Sequence, residues 1–110
     1  MISINKVQLI GEISCSPECC DANGNKIARF TLLTIDYYQG SGKKFFDRQW
    51  HKVVAIGKQA IITTKYLKKG DEVVIDGSIT KRIYVDKNGR STIVTEIIAH
   101  DIIYPFTKRA

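Results

Sequence analysis

Apolar and polar positions alternate with period two over most of this chain, and that period belongs to β-strands. Residues 4–13 read as a first strand, with Val7 and Leu9 on one face and Gln8 on the other. Pro17 and the closely set Cys15, Cys19 and Cys20 then interrupt the alternation. Ala22-Asn23-Gly24-Asn25 contains residues that tolerate positive φ and predicts a turn. Residues 26–38 form a second strand ending in Asp36-Tyr37-Tyr38, and residues 39–44 read as a flexible, basic loop. A third strand covers residues 45–56.

Residues 58–69 depart from this period. Ile62, Tyr66 and Lys69 fall on one helical stripe with Leu67 adjacent, which predicts a short helix of two to three turns. Lys68 and Lys69 suit its negative end, and Gly70 suits the position just past it. Strand four then covers residues 72–86. Val73, Ile75, Ile79, Ile83 and Val85 face one way, and Val74, Thr80, Arg82 and Tyr84 the other. Gly77 marks a bend or bulge in its middle. Lys87-Asn88-Gly89-Arg90 is an Asn-Gly hairpin signal, and strand five returns over residues 92–103. The chain is therefore mainly β, ordered β-β-β-α-β-β. This order matches the five-stranded Greek-key barrel of the OB-fold, with one short helix between strands three and four.

The third strand carries the most informative chemistry. Trp50 is the only tryptophan, and alternation places it with Lys52, Val54 and Ile56, while His51, Val53 and Ala55 take the other side. An indole beside an ammonium offers a stacking surface next to a phosphate contact. The plainer use of the same residues is a half-buried aromatic and a solvated lysine. Tyr38 and Tyr84 add aromatics on strands two and four, Tyr84 with Arg82 on its side. Lys43, Lys44, Lys87 and Arg90 lie near hairpin tips that could extend like arms. The repetition of aromatic-plus-cation pairs on three strands favours nucleic acid over core packing.

Composition supports this direction. The 110 residues suit one domain, and 17 Lys and Arg against 11 Asp and Glu give a net charge of +6, which favours a polyanionic partner. No run is long and apolar enough to span a membrane, and residues 1–30 lack the pattern of a secretory signal. A cytosolic or organelle-matrix location is the default expectation. Three cysteines within six positions, with His51 and His100 far from them and from each other, make neither a zinc site nor a disulfide framework. They read as free thiols. No nucleophile-base-orienter set and no glycine-rich phosphate loop is visible, so no catalytic residue, cofactor or metal is expected.

The resemblance that these residues carry is to the DNA-binding domain of bacterial and mitochondrial-type single-stranded DNA-binding proteins, over residues 4–104. Its segments are Asn5-Lys6-Val7-Gln8-Leu9-Ile10-Gly11, Ser16-Pro17-Glu18, and Ala28-Arg29-Phe30-Thr31-Leu32-Leu33-Thr34. The most specific are Trp50-His51-Lys52-Val53-Val54 through Gly57-Lys58 and Tyr66-Leu67-Lys68-Lys69-Gly70-Asp71. Val73-Val74-Ile75-Asp76-Gly77, Lys81-Arg82, Tyr84 and Thr95-Glu96-Ile97 complete it. The resemblance implies that Trp50 is the central base-stacking residue. It places Tyr38 and Tyr84 where the family often has further stacking tryptophans, and Ile56 where an aromatic commonly touches DNA. Isoleucine can pack on a base but cannot stack.

It also implies that His51 lies at a subunit contact and that the chain assembles as a homotetramer, or a dimer of dimers. Family members usually carry an acidic tail that recruits replication and repair proteins. Here residues 1–104 form the expected domain, and residues 105–110 a short basic tail. The function implied is non-catalytic, largely sequence-independent binding and protection of single-stranded DNA in replication, recombination and repair. The alternative is a tail-less primosomal protein of the PriB type, which couples single-stranded DNA to a replication-restart partner. RNA is a subtler rival, because stacking alone does not discriminate it from DNA.

Overall fold

The computed structural model describes residues 1–22 and 24–106, with only the backbone at residues 22 and 104–106. Asn23 of the predicted turn and residues 107–110 of the predicted tail lie outside the described residues. The elements are β1 (Val7–Ala22), β2 (Asn25–Gly40), β3 (Lys43–Ile56), α1 (Lys58–Tyr66), β4 (Glu72–Val85) and β5 (Ser91–Phe106). The strands close into a barrel in the order β1-β2-β3-β5-β4. All neighbours are antiparallel except β3 and β5, which run parallel over Val53↔Ile97, Val54↔Ile98 and Ala55↔Ala99. With one short helix between β3 and β4, this is the OB-fold.

The alternation determines what lies inside. Ala28, Phe30, Leu32, Val53, Ala55, Val73, Ile75, Ile97 and Ala99 take successive inward positions, joined by Ile13 and Ile102. The helix contributes Ala60, and Leu67 closes the core just beyond it. Burying the Val, Leu, Ile and Phe side chains among them supplies about 1.5–3 kcal/mol each, the main term holding so small a barrel closed.

Several boundaries differ from the pattern-based expectation, each for a local reason. β1 does not stop before Pro17 but continues to Ala22 through register shifts between Ile13 and Cys15 and between Cys15 and Glu18. Pro17 sits within the second shift, where the ladder needs no N–H from it. The expected flexible loop at residues 39–44 is instead a two-residue turn. Gly40 pairs with Lys43, and Ser41 and Gly42 take φ values of 52° and 75°. Positive φ at both central positions is the hairpin geometry that matches strand twist.

The helix ends at Tyr66 because Leu67 turns extended and drops into the core, its N–H bonded to the Thr63 carbonyl. Gly70 therefore does not cap it; its N–H bonds Ile13 O of β1 at 2.8 Å. The helix buries Ala60 and Thr63, whereas Tyr66 is exposed, so the expected Ile62-Tyr66-Lys69 stripe is not its inner face. The hydroxyls of Thr63 and Thr64 donate back to Gln59 O and Ala60 O, which leaves neither hydroxyl without a partner.

The β2–β3 and β4–β5 hairpins run on beyond the core. None of residues 35–39 or 43–50 is buried, nor any of 81–95 outside the intervening turn. The radius of gyration, 16.0 Å, exceeds the roughly 13 Å of a compact chain of this length, as two projecting ribbons require. The β4–β5 turn is built on Asp86, whose carboxylate accepts the N–H groups of Asn88 (2.9 Å) and Arg90 (2.8 Å).

At Gly77, β4 shifts register against β5, and a Cβ there would lie 1.9 Å from Ile98 O. Gly77→Ala should therefore lose about 3 kcal/mol or more. Leu32→Ala, which empties a fully buried site, should cost about 2–5 kcal/mol. Urea unfolding at one fixed protein concentration measures both, and an unchanged midpoint for Gly77→Ala would refute the close approach.

Candidate nucleic-acid interface

The β2–β3 ladder pairs Leu33 with Trp50, Thr31 with Lys52 and Arg29 with Val54, so these six residues share the barrel's outer side. Trp50 is 59% exposed. Lys52 and Ile56 are exposed on the same side, while Val54 is buried among its neighbours. Below Val53 the parallel β3–β5 contact ends and the strands part. Trp50, His51, Lys52, Ile93, Val94, Thr95 and Ile97 then line an open cleft of about 410 Å³.

Across that cleft, Val94 pairs with Arg82 and Thr92 with Tyr84, so the structure brings Arg82 and Tyr84 to the outer side with Trp50. Arg82 is anchored from beneath. Its Nε lies 3.7 Å from Oε1 of Glu96, a carboxylate only 3% exposed. That is an ion pair by distance but not a hydrogen bond, and Oε1 has no hydrogen-bond partner. Lys43, Lys44, Lys52, Lys87 and Arg90 have no carboxylate partner among the described residues. They stand exposed, at the β2–β3 turn, beside Trp50 and at the β4–β5 turn.

Tyr38 departs from the expectation. It pairs with Phe45, five pairs out from Leu33↔Trp50, so alternation puts it on the opposite side of the ribbon. Its ring stacks on Phe45 at 5.5 Å between centroids and 21° between planes. Its hydroxyl donates to Asp47 Oδ2 at 3.3 Å. The Asp47 charge, then desolvation and this bond, hold the phenol above the usual tyrosine range, so it stays a protonated donor at neutral pH. His51 faces inward and half-buried, its Nε2 2.9 Å from Thr34 Oγ1.

Pattern reading passed over Tyr37, Phe46, Arg48 and Arg29, all on the Trp50 side. The signal that finds them is the Ser41-Gly42 turn. Once it is placed there, pairing partners sum to 83, and each residue's side follows. A group of acids lies elsewhere. Glu12, Glu72, Asp76 and Asp101 follow the β1–β4–β5 outer side, around exposed Ile10 and Ile103. Among the described residues no group of His, Cys, Asp and Glu could hold a metal ion, and Cys15, Cys19 and Cys20 are free and exposed. No helix among them is long and apolar enough to cross a membrane.

A closed five-stranded OB barrel with an outward aromatic-cationic strand defines the class as an oligonucleotide-binding fold. The chain belongs to the Single-strand binding protein family, whose profile matches residues 4–104. It is 39% identical over 102 residues to Single-stranded DNA-binding protein 1 of Chlorobaculum tepidum. That alignment covers 90% of this chain and 63% of the relative's length. Among solved structures, it resembles the Plasmodium falciparum SSB in complex with single-stranded DNA, with a TM-score of 0.84 and 32% identity. The match covers 94% of this chain and 97% of that one.

The Arg82–Glu96 pair has a thermodynamic consequence. Arg82→Ala leaves the buried Glu96 carboxylate without its cation and should cost about 2 kcal/mol. Adding Glu96→Leu should restore most of that loss. A double variant no more stable than Arg82→Ala would show that the pair is not its source.

Proposed function

We propose that this chain binds single-stranded DNA with little sequence preference and holds it unpaired, as a non-catalytic component of replication, recombination and repair. The observation that carries this reading is the exposed Trp50 ring beside unpaired Lys52 and across the cleft from Arg82 and Tyr84. Bases stack on aromatic faces whatever their identity, and cations beside the stack neutralise phosphates. Lys43, Lys44, Lys87 and Arg90 extend the cationic track to the two hairpin turns. Ile56 contributes an apolar contact at the far end of β3, so Trp50 takes a larger share of the stacking. Family membership and the likeness to a solved complex with single-stranded DNA support the same assignment.

Assembly with further copies is part of the proposal, as the resemblance implies. Exposed Ile10 and Ile103 are suited to burial there and lie away from the cationic track. His51 stands as the proposed subunit contact. Light scattering on the purified chain should give a tetramer or a dimer, and a monomer at micromolar concentration would oppose assembly.

Titration with oligo-dT should quench Trp50 emission, with log affinity falling against log salt by about 0.7 per phosphate neutralised. Trp50→Ala should weaken binding about tenfold or more, measured with a labelled oligomer. Unquenched emission at low salt would contradict the stacking role. Competition between matched DNA and RNA oligomers should favour DNA, and equal competition would widen the ligand class to RNA.

A further inference from the structure

We propose that the β2–β3 arm carries a second base-stacking platform, formed by Tyr37, Phe46 and Arg48, which takes nucleotides of the same strand as it leaves Trp50. This rests on the single-strand reading of the Trp50 surface. The arm is a ribbon whose ladder is unbroken from Ile27↔Ile56 to Gly40↔Lys43, so its two sides are defined along its whole length. On the Trp50 side the projecting part presents Ile35, Tyr37 and Gln39 from β2 and Lys44, Phe46 and Arg48 from β3. That side has two cations and no acid.

Tyr37 is 78% exposed and pairs with Phe46, their rings 6.4 Å apart and tilted by 44°. The Arg48 guanidinium lies 4.9 Å from the Phe46 centroid. It is held against a ring and has no carboxylate partner among the described residues. A guanidinium so placed can meet a phosphate or extend the stack, and Tyr37 leaves open π-surface for a base. Phe46 is four residues from Trp50, about 13 Å along the strand, a span of a few nucleotides.

The other side of the arm carries two acids against one cation, Lys43 at its tip. Asp36 and Asp47 are directly paired across the ladder there, and both are exposed. Two facing carboxylates repel a polyphosphate. Tyr38 lies on that side with one ring face covered by Phe45 and its hydroxyl bound to Asp47. The stacking role that the family pattern assigns to Tyr38 therefore passes, in this chain, to Tyr37 and Phe46.

The test compares the wild-type chain with the Tyr37→Ala/Phe46→Ala double variant on oligo-dT of about four and about sixteen nucleotides, read by Trp50 quenching. The short oligomer should bind both alike. The long one should bind the double variant about tenfold or more weakly, as the loss of at least one stack implies. Equal affinities at both lengths, or equal losses at both, would overturn the platform while leaving the Trp50 reading intact. Absence of quenching in the wild-type chain would overturn both. Ultraviolet cross-linking of the wild-type chain to oligo-dT, mapped by peptide mass spectrometry, needs no variant. Cross-links at Tyr37 or Phe46 support the platform; cross-links confined to Tyr38 and Phe45, or absent from the arm, overturn it.

Discussion

The antiparallel ladder between β2 and β3 is the constraint from which the rest of the surface follows. It keeps one register from the base of the barrel to the Ser41-Gly42 turn. At the base, that register sends Ala28, Phe30, Leu32, Val53 and Ala55 inward, where they form much of the core. The same alternation, continued outward, sends Trp50, Lys52, Phe46 and Arg48 to the other side. A slip of one residue would exchange the two sets, placing a lysine and an indole in the core. The core therefore locks the position of the residues proposed to stack, although none of them contributes to it. Stability and recognition are coupled through one hydrogen-bond pattern.

Closure of the barrel adds the second half of the site. The parallel contact between β3 and β5 is only three pairs long, and its early end opens the cleft between Trp50 and Val94. β4 can follow β5 past that point because Gly77 permits backbone approach where a side chain would collide. Arg82 and Tyr84 stand beyond the cleft on the ribbon so formed, beside Val94 and Thr92. Charge is partly sorted in the same way, with exposed cations beside the cleft and at the hairpin turns and Glu12, Glu72, Asp76 and Asp101 on the β1–β4–β5 side. For a polyanion, this separation sets the approach direction before any stacking occurs.

Much of this was legible in the sequence. Period-two alternation, the helical stretch within residues 58–69, the Asn-Gly turn and the bulge glycine determine the element order, and that order specifies an OB barrel. Trp50 and Lys52 stood out because indole and ammonium share a strand face. Less legible were features that depend on pairing rather than on one strand. Pro17 looked like a stop because a bulge cannot be seen without its partner strand. Tyr38 looked like a neighbour of Trp50 because aromatic identity says nothing of side until the turn is located. Tyr37, Phe46 and Arg48 were hidden for the same reason. Leu67 ended the helix early because the core's demand for an apolar side chain outweighed helical periodicity.

The outer side of β3, with its partners across the cleft, is the surface proposed to meet single-stranded DNA. Side-chain NMR of the labelled chain, recorded with and without oligo-dT, tests that role most directly. Shifts are expected at the Trp50 indole, the Ile56 methyls, Arg82 and the Tyr84 ring, with the Ile10 and Ile103 methyls unmoved. Shifts concentrated at Ile10 and Ile103, with Trp50 unchanged, would contradict it.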